Sequence, residues 1–104
     1  MTTDRFEDDK ATIRAELEER AIARATIIYG EAAALVGRTA RGVGKILAAI
    51  KADEAKHRRP DLGCLVVTVR TGLPSYVGSG QDARDKAIAN QEAVFKAWST
   101  RGYP

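Results

Sequence analysis

At 104 residues, 44% hydrophobic and 30% charged, the chain has the length and balance of one globular domain with a modest core. No apolar run approaches the roughly 18 residues a membrane helix needs, and the first 30 residues scatter acids where a signal peptide would be apolar. One cysteine and one histidine exclude an internal disulfide framework and a Cys/His zinc site, so the expectation is a reduced, cytoplasmic protein with no metal and no cofactor.

In chain order, Asp4 with Glu7 three residues on resembles a capping box. Ile13, Leu17, Ala21, Ala25 and Ile28 then recur at helical spacing, which predicts an amphipathic helix over 4–25. Its acid pairs Asp8-Asp9 and Glu18-Glu19 read as a solvated face. Thr26 to Gly30 is β-branched and ends in glycine, so it reads as a short extended link. Glu31 to Val36 is a short alanine-rich helix with Gly37 as its C-terminal cap. Arg38 and Thr39 make a turn, and Thr39 caps the next helix.

Val43, Ile46, Leu47 and Ile50 fall at i, i+3, i+4 and i+7, giving a helix over 40–57. Arg38, Arg41 and Lys45 fall on its other side. Pro60 ends it. Leu62 to Val69 is apolar and β-branched and reads as a strand, Arg70 to Pro74 as a turn, and Ser75-Tyr76-Val77 as a returning strand. A last helix over 82–99 carries Ala87, Ile88, Gln91, Val94, Phe95 and Trp98 on one side. Two helices across a glycine-containing turn, then a hairpin over 62–78, give the expected fold: an α+β winged helix-turn-helix with an added N-terminal amphipathic helix and a C-terminal helix.

Charge is uneven along this plan. Residues 38–70 hold eight basic residues against three acidic ones, while residues 1–27 hold five against seven. A basic middle points to an anionic partner at one face. The expected partner is double-stranded DNA, with helix 40–57 as recognition helix and residues 68–77 as the wing. Arg38, Arg41 and Lys45 are the main candidate contacts, with Thr39 beside them and Arg70 and Thr71 on the wing. Lys51, Lys56, Arg58 and Arg59 are secondary phosphate contacts. The alternative on the same scaffold is a protein-interaction module, a regulator or inhibitor of a partner protein, or a homodimer.

The run Ile28-Tyr29-Gly30-Glu31-Ala32-Ala33-Ala34-Leu35-Val36-Gly37 resembles the TYGELARALG helix of the O6-alkylguanine-DNA alkyltransferases. Ala40-Arg41-Gly42-Val43-Gly44 is similar to the ARAVG recognition helix of that family, and Leu62-Gly63-Cys64-Leu65-Val66-Val67 lies near the place of its IPCHRVV strand. The resemblance implies DNA binding. It puts Arg41 at the arginine that fills the gap of a flipped base, and Tyr29 at a tyrosine near the nucleotide's phosphate. The family's cysteine needs a Pro-Cys-His-Arg context to form a thiolate. Here Gly63 and Leu65 flank Cys64. The resemblance therefore implies a relative without catalysis, with alkyl transfer to Cys64 as the remaining enzymatic alternative and Cys64 otherwise a small core residue.

Overall fold

In a computed structural model, which describes residues 5–75, 77 and 80–101, the fold follows from three helix ends and one carboxylate. Helix α1 (Arg5–Ala23) stops where Arg24 takes a left-handed conformation, φ 57°. The amides of Arg24 and Ala25 then bond back to the carbonyls of Ala21 (3.2 Å) and Arg20 (2.8 Å). Strand β1 (Ile27–Ile28) leads directly into α2 (Tyr29–Val36). Gly37 ends α2 in the same left-handed way, φ 65°, and the Thr39 hydroxyl accepts from the Gly42 amide at 3.2 Å to open α3 (Ala40–Lys56). Arg58, φ 56°, closes α3 with a third such turn, the Arg59 amide reaching the Glu54 carbonyl at 2.9 Å.

Among the described residues the expected hairpin wing is not there. Asp61 accepts from the Gly63 amide at 2.8 Å and draws Leu62–Leu65 into a buried 3-10 turn, leaving only Val66–Val67 as strand β2. β2 pairs parallel with β1, Ile27 opposite Val66 and Ile28 opposite Val67, and this is the sheet of the described residues. A parallel partner from the far side of α2 and α3 replaces the antiparallel return strand.

The turn at 70–74 does form. The Thr68 amide bonds to the Leu73 carbonyl at 3.0 Å, and the Thr68 and Thr71 hydroxyls, 2.7 Å apart, satisfy further groups of the same turn. Those bonds occupy backbone that a second strand would need. Tyr76 and Gly78 of the expected hairpin lie outside the described residues, as does the Asp4 cap. The molecule is therefore mainly helical, and the winged helix-turn-helix expectation is corrected to a helical assembly with a two-residue parallel clasp.

The last helix, α4 (Gln81–Arg101), lies against α1. The core joins Ile13 and Leu17 of α1, Val43, Ile46 and Ile50 of α3, Leu62, Leu65 and Val66 of the central segment, and Val94, Phe95 and Trp98 of α4. Phe95 and Trp98 are core side chains, as their spacing indicated. No described helix is long and apolar enough to cross a membrane.

Of the acid pairs on α1, Asp8 and Glu19 are solvated as expected, while Asp9 and Glu18 are partly buried and ion-paired. Down its length, Arg5 donates to the Val36 carbonyl at 3.1 Å, Asp9 pairs with Arg38, Lys10 with Asp53 at 2.9 Å and Arg14 with Glu54 at 2.7 Å. This ionic ladder ties α1 to α2 and α3.

Candidate nucleic-acid interface

The apolar stripe of α3 faces inward, which leaves Arg41, Gly44, Lys45, Ala48, Lys51, Ala52, Ala55 and Lys56 exposed on the other side. That face carries cations and small side chains with no acid among them. Arg41, Lys45, Lys51 and Lys56 have no ion pair within 4.0 Å among the described residues, nor do Arg58 and Arg70 beyond the helix. Arg38 and Arg59 belong to the other population. Arg38 bonds Asp9, lies over the Phe6 ring at 5.7 Å, and crosses the first turn of α3, where a side chain at Gly42 would meet its Cβ at 3.3 Å. Arg59 forks onto the two oxygens of Glu54 at 2.9 and 3.0 Å. The exposed position expected for Arg38 beside Arg41 and Lys45 is thus corrected: it faces α1.

Beside the basic face runs a groove. Tyr29 and Gly30 at the start of α2, Arg41 and Gly44 of α3, and Val69 and Ser75 line a volume of about 650 Å³. Thr68 lines it too. A smaller cavity of about 320 Å³ shares Tyr29, Gly44 and Ser75 and continues to Lys51, Asp61 and Gly63. The Tyr29 and Ser75 hydroxyls lie 3.1 Å apart. The groove's polar set, hydroxyls and one guanidinium, is suited to an anionic ligand.

Of the anticipated contacts, Tyr29 and Arg41 come together in this groove, and Lys51 joins the adjoining cavity. Lys45 stands on the exposed face, and Lys56 and Arg58 at its far end. Thr39 and Thr71 spend their hydroxyls on a helix cap and on the 68–73 turn. Arg70 is exposed in that turn. Sequence reasoning missed Gly44, Val69, Ser75 and Asp61. Gly44 carried a readable signal, a glycine inside a helix on its polar side. Ser75 carried none, since only the fold of the 68–75 segment brings it to Tyr29.

Cys64 is 1% exposed, and burial, helped by the Asp61 charge, pushes its thiol up to about 12. It holds its proton at neutral pH and so lacks the thiolate that nucleophilic chemistry uses. Its carbonyl accepts from the buried Gln91 amide at 3.0 Å, which ties α4 to the central segment. Among the described residues, no cluster of His, Cys, Asp or Glu is arranged to hold a metal ion.

No protein-family model, no curated protein and no solved structure matches the chain.

Proposed function

We propose that this chain is a non-catalytic domain that binds double-stranded DNA through the outer face of α3, in a reducing, cytoplasmic setting. One observation carries the reading: the basic side chains are sorted. The arginines turned toward α1 and Glu54 are neutralised by acids, while Arg41, Lys45, Lys51 and Lys56 share the exposed side of α3 with no ion pair within 4.0 Å among the described residues. Cations left so are what a polyanion attracts. The small side chains between them allow close approach of a duplex. The likeness of residues 28–37 and 40–44 to the alkyltransferase helices supports the same reading, as does the groove that joins Tyr29 to Arg41.

The test is a titration with duplex DNA at two salt concentrations. Binding weakens as salt rises, because phosphate contacts release counterions. Arg41→Ala weakens binding by about 1–3 kcal/mol with little change in Tm, and Lys56→Ala costs less and lowers the salt slope by about 1. Equal, small losses would reduce the face to a general electrostatic patch. Absence of salt-sensitive binding would sink the DNA reading and favour a protein partner, for which Val69, 80% exposed at the groove rim, is an apolar anchor.

A further inference from the structure

We infer that the smaller cavity, between α3, Tyr29 and the Asp61 turn, binds a small amphoteric molecule. Such a ligand offers an N–H donor to the Asp61 carboxylate and an anionic group to the Lys51 ammonium. The inference shares Lys51 with the DNA reading but does not rest on it. At about 320 Å³ the cavity falls at the lower end of ligand-sized sites. Leu47, Ala48 and Gly44 give it an apolar wall.

Its charged groups are Asp61, which is held in place, and Lys51. Asp61 is half-buried; one carboxylate oxygen accepts from the Gly63 amide at 2.8 Å, and the other has no donor among the described residues. Burial raises the Asp61 pKa, so this oxygen is a partly desolvated acceptor held in place by its own helix cap. A Cβ at Gly63 would sit 3.0 Å from Asp61 Oδ1 and 3.5 Å from the Leu47 Cβ, so glycine is what lets the carboxylate lie there. Lys51 lines the same cavity, close enough for its charge to favour the Asp61 carboxylate but with no ion pair within 4.0 Å among the described residues. An acceptor and a cation that share a cavity without bonding each other call for a ligand carrying both complementary charges. A zwitterionic α-amino acid with an apolar side chain has those groups and that size.

The experiment measures thermal shift and calorimetric binding on the intact chain with leucine and phenylalanine. N-acetyl-leucine, which lacks the cation, and leucinamide, which lacks the anion, serve as controls. The expected result is saturable stabilisation by the two zwitterions and none by the controls. Asp61→Asn keeps an oxygen for the Gly63 amide and yet removes the charge, so Kd should rise at least about tenfold, the scale of a charge-assisted bond. Lys51→Met, at an exposed position that leaves the fold intact, should do the same. No saturable response at millimolar zwitterion, equal binding of the blocked analogues, or unchanged affinity in both variants would each overturn the proposal. No DNA enters the assay, so its failure is distinct from failure of the DNA reading.

Discussion

Glu54 is fully buried, yet it sits where the apolar stripe of α3 continues, one turn beyond Ile50. Burial alone would raise its pKa, but hydrogen bonds from Arg59 and Arg14 overcome that and hold it below the ordinary glutamate value of 4.5. A folded-state pKa that is depressed gives stability that is present above the unfolded value and is lost as pH falls through the folded one. Glu54→Ala should cost about 3 kcal/mol at neutral pH, the low end for breaking a buried pair, because both arginines keep contact with water. The gap in Tm between wild type and variant should close as pH drops below about 4.5. A gap that is constant with pH would place the loss in packing and not in charge. The two left-handed arginines differ in the same concrete way. Arg24 pairs with Glu92 at 2.7 Å and covers the Phe95 ring at 5.1 Å, which offsets its strained backbone. Arg58 is exposed and has no ion pair among the described residues. Arg58→Gly should therefore raise stability by roughly 0.5–1 kcal/mol in denaturant melts, and Arg24→Gly should not.

At the scale of the element, α3 carries both the basic face and the groove wall. Gly44 weakens it, since glycine inside a helix costs about 1 kcal/mol relative to alanine. A Cβ at Gly44 meets nothing within 4 Å, so Gly44→Ala should raise the unfolding free energy by about that amount in denaturant melts. No gain would mean that the helix is strained at this turn. The end of α2 and the start of α3 were legible because Gly37 and Thr39 act within a few residues of themselves. So were the Phe95 and Trp98 face of α4 and the turn after Val69. The hairpin was misread for a physical reason. Leu62 to Val69 has strand composition, but the bonds that decide its shape are one Asp61 side chain onto the next-but-one amide and a pair of threonine hydroxyls. Composition does not report such local competition. In the candidate site, Tyr29 and Arg41 were legible as isolated residues. Their convergence with Ser75 was not, because it depends on long-range pairing.

Across the whole molecule, α1 and α4 pack on each other and both contact the central segment, and the ion pairs Asp9–Arg38, Lys10–Asp53 and Arg14–Glu54 hold α1 to the turn before α3 and to α3. Loss of α4 removes Val94, Phe95 and Trp98 from the core at once, where a single buried aromatic is worth about 3–5 kcal/mol. A chain ending before Gln81 should lack a cooperative melt. A truncated chain that melts near the full-length temperature would make α4 an appendage. The parallel pairing of Ile27–Ile28 with Val66–Val67 acts beyond its few bonds. Parallel neighbours need a crossover, and here the crossover is α2 and α3 themselves. The clasp therefore works as a latch that shuts only after both helices have docked, making it a late, non-local event in folding. The amides it protects should exchange with deuterium only on global opening, whereas those of the 68–73 turn should exchange through local fluctuations.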